Sequence, residues 1–214
     1  MDKQTLFQKL EAKDRDLEQI VSKVIDNPEM VDYLISGLSE ENARIKYSCS
    51  NTLVKISERK TELLYPHFDL FSNHLKAENK FIKWGAIIII ANLTKVDVQK
   101  KFDKIFNKYY SGISGPIMIT AANITKGSSI IAIAKPYLTE QITQELLKIK
   151  NATYQTEECR NVILGHMISS FTKFFNQIEN KEQVVKIVKK QLENPRKPTK
   201  NKAEKFIKKW KLSI

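Results

Sequence analysis

Cys159 and His166 are of types that could form a nucleophile and its base, and His67, Asp69 and His74 are of types that could ligate a metal. Cys159 and His166 are seven apart, as are His67 and His74, a spacing that returns a side chain to one helical face after two turns. Two turns also add about 10 Å of rise, which separates Cys159 from His166 too far for direct proton transfer. Two histidines and one carboxylate at this spacing make a weak zinc set, and Pro66 just before them either marks the start of their helix or kinks it. No phosphate-binding glycine loop, G-x-S-x-G elbow or C-x-x-C pair occurs. The expectation is therefore no catalytic residue, no metal ligand and no cofactor.

What recurs instead is a helix. Ile45, Cys49, Thr52, Leu53 and Ile56 set an order of apolar and small residues. It returns as Ile82, Ala86, Ile89, Ile90, Leu93, as Ile163, Met167, Ser170, Phe171, Phe174, and as Thr199, Ala203, Phe206, Ile207, Trp210. A degraded copy runs Ile117, Ala121, Ile124 and then stops. The central residues 49, 86, 121, 167 and 203 are spaced by 37, 35, 46 and 36 residues, the period of a stacked helical repeat. Such stacks present extended surfaces rather than enclosed pockets.

Turn signals divide the stack. Short helices are expected over roughly 4–10 and 15–25, and Asn27-Pro28 opens a helix through Leu38. Ser39 with Glu40 and Glu41 reads as the start of the next helix. Gly112, Gly115-Pro116 and Gly127-Ser128-Ser129 flank the degraded copy and predict a short helix there. The longer spacing that follows is assigned largely to the polar stretch Asn151–Gln155. No linker or shift in composition appears, so 1–214 reads as a single domain.

The order Ile45-Lys46-x-x-Cys49-x-x-Thr52-Leu53-x-x-Ile56 resembles the second helix of HEAT repeats, as does Ile82-Lys83-x-x-Ala86-x-x-Ile89-Ile90-x-x-Leu93. The resemblance spans roughly Pro28–Trp210, with Met118 and Leu164 departing from the usual basic position. It implies an all-α, right-handed α-solenoid of about five stacked helix pairs, preceded by short N-terminal helices, with the second helices lining a concave face.

At 100° per residue, three rows should face that groove. The first holds Tyr47, Trp84, Ile119, Gly165 and Asn201, and the second Asn51, Ile88, Asn123, Ser169 and Lys205. The third holds Val54, Ala91, Thr172 and Lys208. Tyr47 and Trp84, with Arg44 and Phe81 beside them, are the sharpest signal. Together with Asn51 and Ile88 they form the expected partner-binding set, since Trp, Tyr and Arg dominate interface energetics. The same rings would suit base stacking, or would simply pack against neighbouring helices.

The formal net charge is +12, of which residues 181–211 hold +9 from twelve Lys/Arg and three Glu. Lys197, Lys205 and Lys208 could thus meet a polyanion, or serve as a solvated end cap. HEAT-like alkylpurine DNA glycosylases are basic helical proteins of similar size, so resemblance keeps nucleic-acid binding as the alternative. That chemistry needs a carboxylate at the groove, for which Glu58 and Glu158 are the candidates. Cys49 occupies a small buried position and Cys159 reads as structural. The longest apolar run, Ala86–Ala91, is too short to span a bilayer and the first residues are polar. A cytoplasmic scaffold with a protein or peptide partner is the leading expectation. No membrane role and no small-molecule substrate is indicated, and oligomeric state is left open.

Overall fold

The computed structural model describes residues 1–213; 77% of the chain is helical, and no strand forms among the described residues. The chain divides into two compact units, Met1–Ile105 and Phe106–Ile214. The first holds α1 (Lys3–Glu11), α2 (Leu17–Asp26), α3 (Met30–Gly37), α4 (Ala43–Arg59), α5 (Phe68–His74) and α6 (Lys80–Leu93). Then α7 (Lys101–Tyr110) contains the division point. The second unit continues with α8 (Met118–Ala134), α9 (Thr139–Leu147), α10 (Glu157–Phe174), α11 (Glu182–Lys190) and α12 (Lys197–Lys209).

In the first unit α4 is central, packing on α1, α2, α3 and α6, while α5 covers α6. In the second, α10 lies between α8 and α12, with α9 against α8 and α11 against α12. The five residues read as the central column, Cys49, Ala86, Ala121, Met167 and Ala203, are all buried. Their small size, with Met167 the exception, lets neighbouring helix axes approach. Burial pushes the Cys49 thiol up to about 12, with Glu40 adding to the rise, so this cysteine is an inert core group.

Three local expectations are corrected. Asn42, not Ser39, opens α4: its Oδ1 accepts from the backbone N–H of Arg44 at 3.0 Å and Ile45 at 3.4 Å. Asn79 does the same for α6, accepting from Phe81 and Ile82. The helix at the degraded copy is not short, because α8 runs from Met118 to Ala134 straight through Gly127-Ser128-Ser129. Its buried hydroxyls find partners on their own helix, Thr125 donating to the Ala121 carbonyl and Ser128 to that of Ile124. Residues that read as breakers are here small, satisfied core residues.

The stretch expected to absorb the extra residues, Asn151–Gln155, is a tight connection with Ala152 and Tyr154 buried. Tyr154 donates its hydroxyl to the Ile113 carbonyl at 2.5 Å. Gly115, at φ +102°, lies against the Thr153 carbonyl, where a Cβ would collide with backbone. Much of the longer spacing lies instead in α8, which runs on past its copy of the pattern, and in α10, which begins well ahead of Ile163.

Candidate functional site

The equivalent caps on Asn42 and Asn79 start α4 and α6 in one register, three residues before Ile45 and Ile82. That register brings Tyr47 and Phe81 together, with ring centroids 4.7 Å apart. Phe81 in turn meets Trp84 edge-on at 5.2 Å. The Asn79 amide reaches the Tyr47 hydroxyl at 3.4 Å. The three rings form one contiguous surface, in which Phe81 is 55% exposed and Tyr47 and Trp84 are half-buried. Their geometry is that of aromatic pairs stabilised by offset and edge contacts.

Beside them lies a cleft of about 300 Å³, lined by Tyr47, Ser50, Asn51, Val54, Phe81, Trp84, Gly85 and Ile88. Five of the six residues singled out in the sequence line it. Arg44 does not; it is exposed and donates to the Glu11 carbonyl at the end of α1, at 3.2 Å. Ser50 and Gly85 were not foreseen. A Cβ at Gly85 would lie 2.6 Å from Ser50 Oγ, so glycine is what lets α6 approach α4 at the cleft floor. No Asp or Glu is among the lining residues.

Two groove positions are corrected. Ala91 is fully buried, and Gly165 is buried against α12, where a Cβ would lie 2.7 Å from Thr199 Oγ1. One helix's periodicity cannot reveal where its neighbour crosses, and at Gly165 the side chains of Thr199 and Lys202 on α12 close over the residue. Asn51, Ile119, Asn201, Lys205 and Lys208 are exposed, while Ile88, Asn123, Ser169 and Thr172 are half-buried.

The fold is similar to that of a designed armadillo repeat protein, with a TM-score of 0.61 at 14% identity. The match covers 95% of this chain and 98% of that one. It is also similar to an engineered protein solved by the Northeast Structural Genomics Consortium, with a TM-score of 0.51 at 12% identity, covering 99% and 97%. No protein-family model and no curated protein sequence matches the chain. The architecture is thus an armadillo-like helical-repeat solenoid.

The residues first considered for catalysis are kept apart. His67 precedes α5 and faces Asp32 at 3.8 Å, whereas Asp69 pairs with Lys101 at 2.9 Å. His74 packs on Phe71, and burial lowers its pKa. No group of three metal-ligating side chains assembles among the described residues. Cys159 receives the Thr156 hydroxyl at 3.2 Å, while burial and the charges of Lys126, Lys202 and Arg196 hold the His166 pKa down at about 4. Glu58 is exposed, and Glu158 is engaged by Arg196 at 2.8 Å. Lys197, Lys205 and Lys208 are exposed on α12. No described helix is long and apolar enough to cross a membrane.

Proposed function

We propose that the protein is a non-catalytic interaction scaffold of HEAT-like repeats that holds an extended peptide of a protein partner across α4 and α6. The Tyr47–Phe81–Trp84 surface carries this reading. Isolated exposed apolar residues are ordinary on any protein, but a half-exposed phenylalanine held between two further rings beside a cleft is a patch. Rings fixed by mutual contact lose little freedom on binding, which favours them as anchors. Asn51 at the rim supplies an amide able to pair with peptide backbone. An apolar or aromatic side chain of the partner would fill the cleft.

Resemblance to the alkylpurine glycosylases gains less support. An excision site needs a carboxylate beside the aromatic surface, and the cleft lining holds none. The scaffold reading is tested by panning a random-peptide library on the protein with counter-selection on Phe81→Ser. Enrichment of a consensus with one large apolar anchor is expected. Failure to enrich any sequence that discriminates the two proteins would remove this surface as a peptide site.

A further inference from the structure

Three elements of the second unit bring Lys126 on α8, His166 on α10, and Arg196 and Lys202 at and in α12 together: Ser170 of α10 donates its hydroxyl to the Thr125 carbonyl of α8 at 2.5 Å, next to Lys126 and one turn from His166. The aliphatic stem of Lys202 lies over α10, 3.6 Å from where a Cβ of Gly165 would be. Arg196 is oriented from behind by Glu158 at 2.8 Å and by its own backbone, whose N–H donates to Asn194 Oδ1. The side chains of Lys126, His166 and Lys202 make no hydrogen bond or ion pair with the described residues. His166 and Lys202 are nonetheless half-buried. Burial, then Lys126, Lys202 and Arg196 in that order, hold the His166 pKa down at about 4, and burial, then Arg196 and Lys126, lower that of Lys202. Folding therefore gathers three cations, Lys126, Lys202 and Arg196, around a neutral imidazole, and among the described residues the carboxylate paired with them is Glu158, on Arg196.

We propose that Lys126, His166 and Lys202, backed by Arg196, form a binding site for a phosphate group. Donors arriving from three helices match the several oxygens of a phosphate better than the two of a carboxylate, and its near-double charge answers several cations at once. The group would come either from a free phosphorylated ligand or from a phosphodiester backbone continuing along exposed Lys205 and Lys208 of α12. The site is separate from the aromatic cleft and does not depend on the peptide reading.

An anion seated here removes the repulsion on His166 and raises its pKa. The C2–H resonance of His166, assigned by its loss in His166→Gln, is followed by NMR over pH 3.5–7.5. Pyrophosphate, a duplex DNA oligonucleotide, and sodium chloride at matched ionic strength are added in separate titrations. A rise of about one unit or more above the chloride control is expected, a tenfold or greater preference of the anion for the protonated form. A rise with pyrophosphate assigns the site to a free phosphorylated ligand, and one with DNA alone assigns it to a phosphodiester backbone. The rise should vanish in Lys126→Gln with Lys202→Gln, whose fold is checked by circular dichroism. It should persist in Lys186→Gln, which changes a lysine on α11 away from the cluster. No rise above chloride with either anion, or an undiminished rise in the double variant, would overturn the proposal.

Discussion

Asn92 donates from its side-chain amide to Ser57 Oγ at 3.0 Å, joining α6 to α4 through two buried polar groups. Ser57 donates its own hydroxyl to the Val54 carbonyl at 2.6 Å, and Lys95 donates to Asn92 Oδ1 at 3.0 Å. The bond fixes how the two helices that carry the aromatic cleft are staggered. Ser57→Ala leaves the buried Asn92 amide without its acceptor, which should cost about 1–3 kcal/mol in urea denaturation. Because the residues act through one contact, Ser57→Ala with Asn92→Ala should be less damaging than the sum of the singles. Strict additivity would show that the bond does not couple the helices.

Gly165 sets two effects against each other. Alanine in a helix interior ordinarily gains about 1 kcal/mol over glycine. Here the added methyl would approach Thr199 Oγ1 to 2.7 Å, and Thr199 is buried with its hydroxyl donating to the Asn161 carbonyl at 2.7 Å. Overpacking costs of about 1–3 kcal/mol should win, so Gly165→Ala lowers the thermal midpoint. Adding Thr199→Ala to Gly165→Ala should recover part of the loss by removing the clashing atom. A stabilised Gly165→Ala would mean that α12 moves aside freely.

The solenoid was legible because burial repeats in the sequence. Cys49, Ala86, Ala121, Met167 and Ala203 mark one column, and all are buried. What was not legible depends on neighbours. Gly127, Ser128 and Ser129 read as breakers, yet the two serines are buried with their hydroxyls on carbonyls of their own helix, which makes them core residues of α8. Asn42 was not read as the cap of α4, although the recurrence of asparagine three residues before Ile45 and Ile82 was the available signal. Tyr47 and Trp84 were found because they occupy matching register positions, two residues after Ile45 and Ile82, and Phe81 as the ring beside them. The cationic cluster was missed because Lys126 is remote in sequence. His166 and Lys202 are nevertheless separated by 36 residues, the interval between Met167 and Ala203, so the repeat period already paired them.

Burial of His166, with the cations beside it, should appear as a pH dependence of stability. With a folded pKa near 4, depressed from an ordinary 6.5, the unfolded chain binds the proton that the folded chain refuses. This group is neutral in both states above pH 6.5 and costs nothing there. Stability falls as pH drops from 6.5 toward 4, at a limiting slope of about 1.4 kcal/mol per unit, and levels off below. Urea midpoints measured between pH 7 and pH 4.5 should therefore fall less steeply in His166→Asn than in the parent protein. His74, also lowered by burial, acts with the same sign and leaves a residual slope. Identical slopes for parent and variant would mean that the His166 pKa is not depressed in the folded protein.

Exposure separates the roles of the three rings in the cleft. Phe81 is 55% exposed, so Phe81→Ala should cost less than about 1 kcal/mol of folding stability. If the trio anchors a peptide, the same change should cost about 2 kcal/mol or more of affinity for a selected peptide, a loss of some thirtyfold. Trp84 reports on the site directly. The second tryptophan, Trp210, packs on Phe175 with ring centroids 5.1 Å apart, and replacing it by Phe leaves Trp84 as the sole indole. Half-buried in an open cleft, Trp84 should emit at an intermediate wavelength and be quenched by iodide. Saturating peptide should shift that emission to the blue and protect it, and Phe81→Ala should abolish the protection at the same peptide concentration. Blue, iodide-resistant emission without peptide would mean that the rings are filling a core, and Trp84→Ala would then cost about 3–5 kcal/mol of folding stability instead of affinity.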